Sequence, residues 1–322
     1  MKQQKFFREI NSDLKKIEKE LDKFLKVDDP LFSQTCLYLL QAGGKRIRPG
    51  FTLLAGKFFD YRLEKLMPVA MALEIIHMAT LIHDDVVDAS LTRRGRPTLA
   101  AGWGNTVSVA TGDYLFAKAL ELIVRIDNSE ISSILADVCI EMCQGEIQQI
   151  KSAFDTTQTY KQYYYRIQRK TAQLISLCCK LGAKASGAEP KQVWLMSKYG
   201  NSLGIAFQMV DDILDLTADP KALGKPIGGD IRQGIITLPM IFALKDSPQK
   251  DRLNELLGKQ IKSEAEVEEC ITLIIQSGGI EKSRRIVESY ITKSKNYLAG
   301  FPDIPAKEAL IELAKYMSER NH

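Results

Sequence analysis

Between its glycine and proline breaks the chain runs for stretches of roughly 15 to 25 residues, too long for strands and ordinary for helices. The breaks fall at Gly43-Gly44, Pro68, Gly95 to Pro97, Gly102 to Gly104, Gly187 to Pro190, Pro220 to Gly229, Pro248, Gly258, Gly278-Gly279 and Pro302 to Pro305. The first stretch shows a helical period directly. Phe7, Ile10, Leu14, Ile17, Leu21 and Phe24 recur at alternating steps of three and four, with lysines and glutamates on the other faces, until Asp28-Asp29-Pro30. No Asn-Gly hairpin between alternating hydrophobics, no serial strand signal and no repeat of solenoid period is present. The chain is therefore expected to be all-α, a single-domain helix bundle over residues 1–322, with 45% hydrophobic residues to fill one large core.

Charge gives no reason to expect a nucleic-acid partner, and none is expected. A net charge of +4 with an ordinary 26% of charged residues is no footprint for nucleic acid. The six cysteines, Cys36, Cys139, Cys143, Cys178, Cys179 and Cys270, have no metal-type spacing and no nearby histidine, so they read as buried free thiols of a reducing cytoplasm. The N-terminus lacks a signal-type apolar stretch. The longest apolar candidate, Val69 to Ile82, contains Glu74 and His77 and is too short to span a bilayer, so no transmembrane segment is expected.

Chemistry is concentrated in two copies of Asp-Asp-x-x-Asp: Asp84, Asp85 and Asp88, then Asp211, Asp212 and Asp215. Aspartate occupies 20 of 322 positions, so such a pattern is expected about 0.08 times by chance if positions are independent. On a helix the first and last carboxylates of each motif share a face and repel each other unless a cation lies between them. Hard oxygen donors select Mg2+ or Mn2+, and magnesium keeps positions open for phosphate oxygens. Both motifs lie in apolar sequence, where unpaired carboxylates are costly. Two acidic faces of this kind suit divalent ions gripping a diphosphate, and hence ionisation of an allylic diphosphate in a water-poor pocket.

Basic residues accompany the motifs. Gly43-Gly44-Lys45-Arg46-Ile47-Arg48-Pro49 places three cations after a glycine pair, and Arg48 is suited to bidentate phosphate contacts. Read alone, this cluster is more readily a surface basic turn than a phosphate site. Arg93 and Arg94 follow Asp88 by five and six residues, where a phosphate role is favoured over a solvated face.

With these segments, together with Gly112-Asp113-Tyr114, Lys170-Thr171, Phe207-Gln208 and Gly224-Lys225-Pro226, the chain resembles the trans-type isoprenyl diphosphate synthases over nearly its whole length. The resemblance implies a deep central cavity and head-to-tail condensation of isopentenyl diphosphate with an allylic diphosphate such as farnesyl diphosphate. It implies Lys45, Arg48, His77 and Arg94 as holders of isopentenyl diphosphate. It assigns Arg93, Lys170, Thr171, Gln208 and Lys225 to the allylic diphosphate or its developing charge, with the released pyrophosphate taking the proton. A lone helical histidine is more often a core residue; the family pattern makes His77 a ligand. A terpene cyclase, a non-catalytic regulatory homologue and a plain helical interaction module are the rival readings. The second aspartate motif and the Lys45/Arg48 set weigh against the cyclase, and six intact aspartates against the regulatory homologue.

In this family product length is limited by side chains below the first motif. Thr80 and Ala79, four and five residues before Asp84, are small, and Ile76 and Leu73 come next down that face. A product of six to eight isoprene units is expected. Ile235 stands where many homodimeric relatives have lysine, which resembles the catalytic component of two-subunit enzymes making seven-unit chains. A dimer is expected, with a small non-catalytic subunit as the second partner in that case.

Overall fold

The N-terminal stripe folds in two pieces: a 3-10 turn, Lys5–Ile10, and helix α1 (Asn11–Leu25), which buries Leu14, Ile17, Leu21 and Leu25. Phe24 lies half-buried instead, its ring 3.8 Å from the Lys118 ammonium, because Leu25 continues the helical stripe into the core. The computed structural model describes residues 5–93, 95–126, 128–218 and 227–318. After α1 come α2 (Pro30–Gln41), α3 (Ile47–Gly56), α4 (Leu63–Val87), α5 (Leu99–Trp103), α6 (Asn105–Val124), α7 (Ser129–Lys151) and α8 (Tyr160–Ile167). A five-residue π-type turn, Gln168–Ala172, leads into α9 (Gln173–Ala185) and α10 (Pro190–Thr217). The rest is α11 (Gly229–Gln233), α12 (Leu238–Asp246), α13 (Lys250–Gly258), α14 (Glu264–Gln276), α15 (Gly279–Tyr297) and α16 (Pro305–Ser318). The all-α expectation holds. Among the described residues the one exception is a two-residue antiparallel ladder, Thr92–Arg93 against Arg96–Pro97, turned at Gly95.

Contacts gather these residues into two compact units built from separate stretches. The first comprises the chain up to Ala136, Leu177–Ser197 and Gly300–Glu312; the second comprises Asp137–Ser176, Lys198–Ala299 and the stretch from Leu313. Four of the five boundaries fall inside α7, α9, α10 and α16, and the fifth, at Ala299/Gly300, falls between α15 and α16.

In the first unit α4 is the central element, packed along α6 and α3. It buries nearly its whole circumference, from Leu66 through Val69, Leu73, Ile76 and Ala79 to Ile82. Pro68 does not break it, contrary to the sequence expectation: it sits in the second turn, where the loss is one early backbone bond. Nor is the apolar segment short. Among the described residues α4 is the one helix long and apolar enough to cross a membrane, but 67% of its apolar window is buried inside the protein. A wholly buried core helix meets the same length and composition test. Gly112 on α6 allows the close approach to α4, since a β-carbon there would overlap the His83 ring. Asp28-Asp29-Pro30 serves as the start of α2: the Asp29 carboxylate accepts from the Phe32 N–H at 3.0 Å and Pro30 takes the first helical position.

In the second unit α12 packs on α15. Capping boxes start α8 at Thr159/Gln162 and α14 at Ser263/Glu266. The cysteines are free thiols; Cys36, Cys178, Cys179 and Cys270 are buried, whereas Cys143, expected inside, is exposed on α7.

Candidate diphosphate and metal sites

In the first unit the aspartate motif occupies the last turn of α4, with Asp88 as its C-cap. Three carboxylates thus sit at the negative end of a long helix, where the backbone dipole adds to their mutual repulsion and a cation is doubly favoured. Asp85 is buried and accepts from the Arg93 guanidinium through both Nε and Nη2 at 2.7 Å. Asp84 and Asp88 are half-buried. The reversal that brings Arg93 back onto Asp85 begins at Ala89, whose φ of 47° lies in the left-handed region a side chain disfavours. The short ladder follows, tied to α2 by the Tyr38 hydroxyl on the Pro97 carbonyl at 2.7 Å.

A cleft beside this turn is lined by Gly43, Arg46, Glu74, His77, Asp85 and Arg93, among others. His77 and Arg93, two of the residues that the family resemblance names, line this cleft. Lys45 and Arg48 flank the cleft in sequence but do not line it; Arg46 does. Lys45 is exposed and Arg48 half-buried in the first turn of α3. Arg94 lies outside the described residues. Leu73, Ile76 and Ala79 are buried, while Thr80 is half-buried and donates its hydroxyl to the His77 carbonyl at 2.9 Å. Gly112-Asp113-Tyr114 acquires a local reason: the His83 ring fits against Gly112, with Nε2 3.4 Å from the Asp113 carboxylate. Nothing in the sequence singled out His83, apart from its place next to Asp84.

In the second unit the motif lies near the end of α10. Asp212 is held at both oxygens: the Tyr163 hydroxyl donates to Oδ2 at 2.6 Å and the Gln208 amide to Oδ1 at 2.9 Å. The Thr171 hydroxyl in turn donates to the Gln208 Oε1 at 2.6 Å, which fixes which way that amide faces. Burial pushes the Asp212 carboxyl above the usual carboxylate range, against the pull of those two donors, and drives the Tyr163 phenol well above its ordinary value. Asp215 is also buried; its Oδ2 accepts from the Asp230 N–H at 3.0 Å and its carbonyl from the Gly228 N–H at 2.7 Å. Asp211 is half-buried.

Lys170 and Thr171 fall within the π-type turn, whose wider winding displaces them from a regular helical path. Gly204 of α10 makes room for that turn: a β-carbon there would meet the Ala172 Cα at 2.6 Å. The Lys170 ammonium contacts Glu146 of α7 at 2.7 Å. Ile235 is half-buried just after α11, its N–H donating to the Asp230 carbonyl at 2.8 Å. Lys225 lies outside the described residues. Tyr163 and Glu146, which contact Asp212 and Lys170, have no signal in the sequence, and Arg46 is set apart from its neighbouring cations only by its contact with Glu74. Only folding shows that a tyrosine 49 residues from Asp212 is its donor.

Among the described residues no three histidine, cysteine or carboxylate side chains already converge as a metal cage. The donor set nevertheless fits a hard divalent cation. In each unit it is all carboxylate oxygen, with Asp85 buried in the first and Asp212 and Asp215 buried in the second, where uncompensated charge is costly.

A family model described as "Polyprenyl synthetase" matches residues 29–274. The chain is 43% identical over 311 residues to "Heptaprenyl diphosphate synthase component 2" of Bacillus subtilis (strain 168), covering 97% of this chain and 89% of that one. The crystal structure of heptaprenyl diphosphate synthase from Staphylococcus aureus superposes with a TM-score of 0.93 at 35% identity, over 97% of this chain and 99% of that one. The polyprenyl synthase of Caulobacter crescentus CB15, complexed with calcium and isoprenyl diphosphate, gives a TM-score of 0.94 at 34% identity, over 98% and 97% of the two chains.

Proposed function

Since the chain belongs to the polyprenyl synthetase family, we propose that it is the catalytic component of a medium- or long-chain trans-polyprenyl diphosphate synthase. It condenses isopentenyl diphosphate head-to-tail with an allylic diphosphate such as farnesyl diphosphate, to a product of seven isoprene units. The observation that carries this reading is the pair of aspartate motifs, each with a buried aspartate, Asp85 or Asp212, held in place by a named donor.

Asp84, Asp85 and Asp88, with Asp211, Asp212 and Asp215, hold Mg2+, for which Mn2+ substitutes. When bound, the metal neutralises the charge that builds on the departing pyrophosphate. Lys45, Arg48, His77 and Arg94 hold isopentenyl diphosphate. Arg93, Lys170 and Lys225 hold the allylic diphosphate; Lys170 exchanges Glu146, and Arg93 exchanges Asp85, for phosphate oxygens. The Thr171 hydroxyl and Gln208 amide, already fixed in orientation by their mutual bond, present preset dipoles to the allylic cation. The pyrophosphate released accepts the proton lost in forming the new double bond. Leu73, Ile76, Ala79 and Thr80 set chain length.

The chain acts as one polyprenyl synthetase domain over residues 1–322, in the cytoplasm, as a dimer with a small non-catalytic subunit. Ile235 supports the two-subunit reading, and so does the likeness to a protein named as a component. Incubation with labelled isopentenyl diphosphate, farnesyl diphosphate and Mg2+ tests it, with products sized by reversed-phase chromatography. Elongated prenyl diphosphates are expected. A cyclised hydrocarbon would overturn the reading, and full long-chain synthesis by the purified chain alone would overturn the obligate partner.

A further inference from the structure

Of the three cations in Lys45-Arg46-Ile47-Arg48, family resemblance assigns Lys45 and Arg48 to a diphosphate and leaves Arg46 without a role. The structure gives Arg46 surroundings quite unlike those of its neighbours. It is buried at 7% exposure and stands as the N-cap of α3 with φ 47° and ψ 40°. A left-handed backbone there would suit glycine better than any residue with a β-carbon, so the side chain is what the position requires. Its guanidinium is used in three directions: Nε to Glu18 of α1 at 3.2 Å, Nη1 to Glu74 of α4 at 3.0 Å, and Nη2 to the Leu40 carbonyl of α2 at 2.8 Å. One planar fork therefore ties three helices to the start of a fourth, a task a lysine ammonium is not shaped for. Both Arg46 and Glu74 line the cleft, and His77 follows Glu74 by three residues on the same face of α4.

We infer that Arg46 is a positioning residue for the isopentenyl diphosphate site and not one of its ligands. Its charge is spent on Glu18 and Glu74. It sets the direction in which the chain presents Lys45 on one side and Arg48 on the other. It also neutralises Glu74, a buried carboxylate that would otherwise stand unpaired in the wall of the cleft that His77 lines. The inference rests on the proposed reaction for the identity of the anion, and on the geometry for everything else.

The test uses Arg46→Gln, Arg46→Lys, Glu74→Gln and the double variant Arg46→Gln/Glu74→Gln, each checked for folding by circular dichroism. Steady-state rates are measured with the partner subunit present, and binding of isopentenyl diphosphate by titration calorimetry. Arg46→Gln is expected to raise KM for isopentenyl diphosphate roughly 10- to 100-fold, the range that loss of an outer supporting partner costs a site. KM for farnesyl diphosphate and kcat should stay within about threefold, a split that general loosening of the fold would not produce. Arg46→Lys should recover little, because the fork and not the charge is needed. Adding Glu74→Gln to Arg46→Gln should restore a good part of the affinity, since it removes the carboxylate left bare. A direct ligand would behave oppositely: lysine would rescue, and the double variant would be no better than Arg46→Gln. Either result, or an unchanged KM in Arg46→Gln, overturns the inference. If Arg46→Gln does not fold, Arg46→Lys and the double variant carry the same comparison. Absence of elongation by the unaltered protein would count against the proposed reaction, while calorimetry would still report on Arg46.

Discussion

Replacing Tyr163 by phenylalanine removes one hydroxyl from the second aspartate motif and leaves the packing in place. The ring is fully buried and its phenol donates to Asp212 Oδ2 at 2.6 Å, with the Gln208 amide on Oδ1 at 2.9 Å. The lost interaction is a hydrogen bond to a buried carboxylate, worth about 1.5–3 kcal/mol. Burial already raises the Asp212 pKa from 3.8, and the phenol is the first of the effects opposing that rise. Without it Asp212 takes up a proton more readily and holds a cation less well. Thermal unfolding of Tyr163→Phe without metal should therefore show a midpoint a few degrees lower, for a loss of about 2 kcal/mol. A carboxylate whose folded pKa is raised favours folding below its unfolded value near 3.8 and loses that contribution as pH rises through the folded value. The deficit of the variant should accordingly be largest at neutral pH and shrink toward pH 3.8. If Asp212 holds the metal as proposed, the Mg2+ concentration for half-maximal rate in turnover assays should rise about tenfold, the cost of removing a partner that orients a ligand. KM for isopentenyl diphosphate should stay within about twofold, since the residues proposed to hold it, Lys45, Arg48 and His77, belong to the other unit. An unchanged Mg2+ requirement with full activity would refute the role given to the Tyr163–Asp212 bond.

Three further outcomes follow from other parts of the molecule. Ala79→Phe should shorten the prenyl product, because Ala79 is fully buried on α4 below the first motif; chromatographic sizing that finds the same length would remove Ala79 from the chain-length set. Gly112→Ala should displace the His83 ring and cost about 1–3 kcal/mol by overpacking, together with much of the activity, because the residue after His83 is Asp84; a variant of wild-type stability would show that α4 and α6 separate freely. Glu266 is held down from 4.5 to about 2 by the Lys259 ammonium and the Ser263 N–H. Its contribution is present above pH 4.5 and lost as pH falls through about 2, so Glu266→Gln should flatten the melting temperature across that window, and superimposable pH curves would contradict it.

Much of this protein was legible before folding. The helical class followed from run lengths and from the three-and-four spacing of apolar residues, because an α-helix must keep one face dry along its whole length. The chemistry followed from Asp84 to Asp88 and Asp211 to Asp215, because each motif is local and needs no distant partner to be recognised. Local signals and structure part where the signals compete with packing. Pro68 reads as a break but is carried through by the burial of the rest of α4, and Phe24 reads as core but yields its place to Leu25. What no spacing could supply is which groups hold the aspartates. Arg93 reaches Asp85 only because the chain reverses at Ala89, and Tyr163 reaches Asp212 across 49 residues of sequence. Arg46 is the clearest case. In sequence it is one of three neighbouring cations, equal in charge and setting. Burial decides between them, because a guanidinium out of water must find carboxylates, and those carboxylates come from helices that only the tertiary fold brings together.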